Sequence, residues 1–133
     1  MKKCTNCGIE LTKENSNRAF RINDFENVCT ICYNKRARKY LRNIKIKIFN
    51  ILGNRCCNPY NLNHGDFLTD KRCLQIDHVN GGGSEEKRQS RKSEKNNKSR
   101  SNWNYYKNIL IKLESGSKDY QLLCANCNWI KRH

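Results

Sequence analysis

Aspartate and histidine stand side by side at Asp77–His78, after the apolar alternation of Leu74 and Ile76 and before the glycine run at 81–83. That pattern predicts a short strand delivering a carboxylate and an imidazole to a turn. Farther on, Tyr120 to Leu123 predicts a second short strand. It runs into Cys124-x-x-Cys127, with Asn128 next and a helix starting near Ala125 or Asn126. Near the N-terminus, Cys4, Cys7, Cys29 and Cys32 form two knuckles in the pattern C-x2-C-x21-C-x2-C. Four thiolates on two short turns suit tetrahedral Zn²⁺, and a site closed by four cysteines has no open position for chemistry. Gly8 follows the first pair, where a knuckle turn tolerates positive φ. The later segments together suggest strand, strand and helix around a metal.

Elements must hold these groups with little apolar material. In 133 residues, 36% are hydrophobic and 29% charged, so packing alone cannot sustain two subdomains and metal staples are expected. The opening MKKCTNCGIE carries basic residues with no apolar run behind them, and no stretch is long enough to span a membrane. An intracellular, cytoplasmic chain is expected, and its nine cysteines therefore read as zinc ligands rather than disulfides. The net charge of +15 calls for a polyanionic partner, nucleic acid before a membrane surface or a small-molecule substrate.

The expected organisation is a Cys₄ zinc unit over 1–32, a basic linker helix over 33–52 and a third unit over 53–133. Ala37, Leu41, Ile44, Ile48 and Leu52 recur at helical spacing, with Gly53 as the stop. The alternation from Ile44 to Ile48 would also suit a strand. Arg36, Arg38, Lys39, Arg42, Lys45 and Lys47 crowd the same stretch and predict contact with a phosphate backbone. Residues 53–73 read as loop, and 84–100 as a mobile basic loop. Trp103, Tyr106, Ile109, Leu110 and Leu113 mark the buried face of a short helix over 102–113. Lys131, Arg132 and His133 are placed to meet phosphate.

The segments at 74–83 and 120–133 resemble the signature of the HNH endonucleases, also called ββα-metal or His-Me finger nucleases. In that signature an Asp-His pair lies on the first strand, and the second strand enters a knuckle at the head of a helix. Cys127–Asn128 is similar to the arrangement in phage endonuclease VII, where Asn takes the last motif position. The resemblance covers roughly Gly53 to His133. It implies a small α+β, zinc-stabilised fold in a chain of phage type and of viral origin.

It also implies roles. Asp77 and Asn128 would hold a catalytic Mg²⁺ or Mn²⁺ ion, and His78 would be the general base that activates water. Oxygen donors suit those hard ions, and histidine's ordinary pKa of about 6.5 leaves an imidazole able to accept a proton. The middle motif Asn, which should hold the loop and orient His78, has three candidates: Asp119, Asn102 and Asn104. Relatives show C-x-x-C before the Asp-His pair, whereas this chain has Cys56-Cys57-Asn58-Pro59. Cys73 could supply the missing sulfur. The expected second zinc is then held by Cys56 (or Cys57), Cys73, Cys124 and Cys127, with His64 as the other candidate ligand.

The expected activity is metal-dependent hydrolysis of DNA phosphodiester bonds, with low or structure-based specificity. RNA stays open as a partner, and a homodimer is one route to cutting both strands. Two other readings compete: a non-catalytic zinc module that binds nucleic acid, and the nicking subunit of a larger complex.

Overall fold

The computed structural model describes residues 2–16, 27–93 and 102–133, without the side chains at 90–93, 102 and 103. Its order is α1 (Thr30–Ile51), a 3₁₀ turn (Gly65–Leu68), β1 (Leu74–His78), α2 (Gly83–Ser93), α3 (Asn102–Glu114), β2 (Tyr120–Cys124) and α4 (Ala125–Arg132). Among the described residues this is a small α+β chain with four α-helices and one two-stranded sheet. None of its helices is long and apolar enough to cross a membrane.

The chain divides into two compact units, Met1–Asn43 and Ile44–His133. The division falls inside α1, the helix that runs through the stretch expected as a linker helix over 33–52. The reason lies in the burial of that helix. Its first part is exposed at Ala37, whereas Ile44 and Ile48 are buried in the core of the second unit. The Ile44–Ile48 alternation is helical, because helical spacing seats those two isoleucines on one face.

In the first unit the Cys4–Cys7 turn is closed by Cys4 N–H donating to Ile9 O at 2.8 Å and Gly8 N–H donating to Cys4 O at 2.8 Å. Cys29 ends the following segment, and Cys32 sits in the first turn of α1. Cys4, Val28 and Cys29 form a minimal core, with Leu11 packed on it.

In the second unit, β1 and β2 pair antiparallel, with Asp77 opposite Gln121 and His78 opposite Tyr120. One core cluster joins Ile44 and Ile48 of α1, Ile109, Leu110 and Leu113 of α3, and Tyr120. The helix expected over 102–113 is present and buries Ile109, Leu110 and Leu113, while the side chain of Trp103 lies outside the described residues. A second cluster joins Leu74, Leu122 and Leu123 to Cys56, Cys124 and Cys127.

The stretch expected as a basic loop over 84–100 is helical as far as Ser93; 94–100 lie outside the described residues. Its sequence lacks an apolar period, but Glu85 and Glu86 occupy the first turn, where carboxylates favour the positive end of the helix dipole.

Candidate active site and metal centres

Cys4, Cys7, Cys29 and Cys32 bring their sulfurs within 4.8 Å of one another. Cys7 Sγ and Cys29 Sγ are 3.7 Å apart. A zinc tetrahedron with Zn–S bonds of about 2.3 Å has edges of about 3.8 Å, so this group could hold zinc. The Cys29 N–H, 3.3 Å from Cys4 Sγ, draws that thiol's pKa down to about 6. Hydrogen bonding to the Cys29 thiol pushes Cys32 up to about 12. One thiol is thus ready to bind as thiolate while its neighbour holds a proton that an incoming metal would expel.

The second group is Cys56, His64, Cys124 and Cys127, all buried, with ligand atoms within the same 4.8 Å. This corrects the expected set, because His64 stands where Cys73 was placed. Cys73 lies in the turn just before β1 and is not among the four. Cys57 is excluded as well, since its thiol donates to Gln121 Oε1 at 3.1 Å.

His64 reaches the group through a folded loop. The Asn58 side chain bridges Leu62, donating to its carbonyl at 2.9 Å and accepting its N–H at 2.8 Å. His64 Nδ1–H then donates to the same Leu62 carbonyl at 2.9 Å, leaving Nε2 bare and 3.1 Å from Cys127 Sγ. A second-shell carbonyl commonly fixes the tautomer of a metal-binding imidazole in this way. Cys124 also caps α4, its sulfur accepting the Cys127 N–H at 3.4 Å. Burial, then the Cys56 thiol, pushes Cys127 up to about 12, so here too metal would displace protons.

The hairpin places the Asp-His pair. Asp77 accepts from the Gln121 side-chain amide at 3.0 Å, as the register dictates. Across the helix interface, Lys131 Nζ lies 2.5 Å from Asp77 Oδ2 and 3.0 Å from the Val79 carbonyl, and also donates to the His78 carbonyl. Asn128, one turn earlier on α4, donates through Nδ2 to Gln75 Oε1. Gln75 and Asp77 are two residues apart and share one face of β1, so α4 presents Asn128 and Lys131 to the same strand face. Asn128 is buried, and its Oδ1 has no hydrogen-bond partner among the described residues.

His78 is held by a residue that sequence reasoning missed. Its Nε2 meets Glu86 Oε2, while Glu86 Oε1 accepts from Lys112 Nζ and, at 2.6 Å, from the Tyr120 hydroxyl. Burial works to raise the Glu86 pKa, but these three hydrogen bonds outweigh it and hold the carboxyl below its ordinary value. An ionised carboxylate only accepts, so Nε2 carries the proton and Nδ1 is the basic nitrogen. The imidazole also packs on the Tyr120 ring at 4.8 Å between centroids. Among the described side chains Glu86 holds the His78 ring; Asp119 and Asn104 were also expected in that task, as was Asn102, whose side chain lies outside the described residues. Asp119 contributes its backbone carbonyl, which accepts the Val79 N–H at 2.9 Å.

A cavity of about 300 Å³ is lined by Asp77, His78, Gly82, Lys87, Lys131 and Arg132. Adjacent strand residues point to opposite faces, yet Asp77 and His78 border one space because β1 ends there and turns through Gly81 (φ 77°) and Gly82 (φ 87°). Positive φ at both positions explains why the turn is glycine. Arg36, Arg38, Lys39, Arg42 and Lys45 are all exposed on α1, with Lys45 Nζ 4.7 Å over the Tyr106 ring. Lys131 departs from expectation: its ammonium is turned inward onto Asp77. Arg132 remains exposed, and His133 packs beside Trp129 at 4.7 Å.

No protein-family model matches the sequence, and neither a curated protein nor a solved structure matches it.

Proposed function

We propose that this chain is a metal-dependent DNA endonuclease of the HNH, ββα-metal type, stapled by two structural zinc ions. The observation that carries the reading is the unpartnered, buried Oδ1 of Asn128 on the helix turn that faces the Asp77 strand. Buried carbonyl oxygens are rarely left without a partner, and such an atom points to a ligand. A carboxylate and an amide oxygen fit Mg²⁺ or Mn²⁺. When bound, the ion would offset charge on the scissile phosphate and on the departing 3′ oxygen.

The chain's own groups do the rest. His78 takes a proton from water at Nδ1 as the water oxygen bonds to phosphorus. The bond from phosphorus to the 3′ oxygen breaks, leaving a 3′-hydroxyl and a 5′-phosphate. Glu86 fixes the ring and its tautomer, and Lys112 and Tyr120 keep Glu86 ionised. Such a base contributes about 10²–10⁴-fold in rate. Lys87 and Arg132 border the cavity and meet phosphate oxygens. The basic residues of α1 bind the backbone without reading bases.

The test is plasmid cleavage by the purified chain with Mg²⁺, Mn²⁺ or EDTA, beside His78→Ala. Metal-dependent nicking lost in His78→Ala supports the reading, whereas tight DNA binding with no cleavage in any metal sinks it. One observation favours a second reading, a zinc-dependent module that binds nucleic acid without cutting it. The Lys131 ammonium neutralises the Asp77 carboxylate. That reading requires DNA binding with no cleavage in any metal, in the unaltered chain and in Asp77→Asn alike.

A further inference from the structure

Lys131 stands out in the second unit because a long surface-helix cation has been drawn into a nest of oxygens. Its ammonium meets a carboxylate oxygen of Asp77 and the carbonyl oxygens of His78 and Val79. An ammonium has three N–H donors, so these contacts use its full donor capacity. Its side chain is only 22% exposed, and that of Asp77 17%. Carboxylate and carbonyl oxygens are also the donors a hard divalent cation takes. The pair therefore has the chemistry of an occupied cation site, with the cation covalently tethered to α4.

We propose that Lys131 is a tethered competitor for the divalent ion at Asp77, and that phosphate entering the adjoining cavity draws it away. The inference rests on the metal-dependent reading above and adds a regulation to the same site. Oδ2 of Asp77 cannot accept the ammonium and coordinate a divalent ion together without placing two cations side by side. Metal binding at Asp77 in the free protein is therefore opposed by the ammonium and favours its release from the three acceptors. A phosphodiester in the cavity beside Lys87 and Arg132 offers the ammonium another anion. Metal and phosphate then favour each other, because each removes an obstacle to the other, and the coupling is reciprocal by linkage. The free chain keeps its cleft without metal and loads the ion together with the backbone it cuts.

The test is Mn²⁺ binding to the full, zinc-loaded chain in the absence of DNA, followed by electron paramagnetic resonance. Lys131→Met is expected to bind Mn²⁺ at least about ten-fold more tightly than the unaltered chain, within the usual range of coupling energies. The gain should vanish in the Lys131→Met, Asp77→Asn double variant. Equal affinity in Lys131→Met and the unaltered chain, with Asp77→Asn still weakening both, overturns the competitor and leaves the metal site standing. Mn²⁺ binding indifferent to Asp77→Asn in every background overturns both. A second measurement needs no substitution. The ¹⁵Nζ resonance of Lys131, protected by three acceptors, should disappear when Mg²⁺ saturates the chain; its persistence at saturation overturns the proposal.

Discussion

A methyl group added at Gly83 would stand 2.7 Å from Nδ1 of His78, closer than such atoms approach. Gly83 is not among the residues with positive φ, so alanine would fit the α2 backbone there without strain. Its missing side chain leaves open the space before the imidazole's basic nitrogen. Gly83→Ala is therefore expected to leave zinc content unchanged and to lower the thermal midpoint only by the cost of displacing the His78 ring. Plasmid nicking should fall about 10²-fold, the scale on which an ångström of misplacement is felt. Normal nicking by Gly83→Ala would show that Nδ1 is not the reactive nitrogen.

Glu86→Gln separates positioning from folding. The carboxamide can still bond the Tyr120 hydroxyl, but it no longer dictates the tautomer of His78. Cleavage should drop while DNA affinity holds. Acid stability gives an independent readout. The folded-state pKa of Glu86 lies below its ordinary value of 4.5. Its contribution to stability is thus present above that value and lost as pH falls through the lower, folded one. On descending to about pH 3, the unaltered chain should lose more of its thermal midpoint than Glu86→Gln does. The two proteins share every cysteine and histidine, so zinc release cancels in the comparison. Parallel curves would remove Glu86 from the acid response.

Zinc stoichiometry distinguishes His64 from Cys73. Cys73→Ser should retain the metal of both groups, whereas His64→Ala should lose the metal of the second. Because structural zinc is folding free energy, His64→Ala should also melt the second unit early. Cys32 and Cys127 lie near 12 in the metal-free protein, so both are protonated at neutral pH. Zinc uptake should release protons to the buffer, and acid should drive the metal back out. A dye assay for zinc alongside a weakly buffered pH trace reads both.

Asn128→Leu sets stability against activity. The substitution removes a buried acceptor that has no partner, an arrangement that costs about 1–3 kcal/mol. Gln75 is exposed and can exchange the lost amide for water. The zinc-loaded variant without Mg²⁺ should gain about 1 kcal/mol in a urea titration, yet no longer cut DNA. A loss of stability would mean that Oδ1 is satisfied in solution.

Much of the site's scaffold was legible in the sequence. Period-2 alternation located β1, a knuckle followed by helix-compatible residues located α4, and paired C-x-x-C motifs located the first metal group. Less was legible where the cause is tertiary. The run GSEEKRQSRKS buries no apolar face, so periodicity could not reveal α2 or the arrival of Glu86 at His78. His64 was outweighed by Cys73 because spacing counts residues along the chain, whereas the folding of the loop around Asn58 and Leu62 decides which of them arrives. The Asp77–Gln121 contact followed directly from a register that only pairing could fix. Lys131 read as a phosphate contact because helix position gives the reach of a side chain and not the acceptor it finds.

Cys56 and His64 precede both strands, Cys124 ends the second and Cys127 follows it. A metal shared by these four brackets the whole stretch that carries Asp77, His78 and Glu86. As the polypeptide leaves the ribosome, half of that bracket emerges first with nothing opposite it, and the acid, the imidazole and their support come next. The clasp can close only once Cys127 is out. Synthesis thus imposes its own delay on the cleft, because the stretch that carries Asp77, His78 and Glu86 waits for the far half of its clasp.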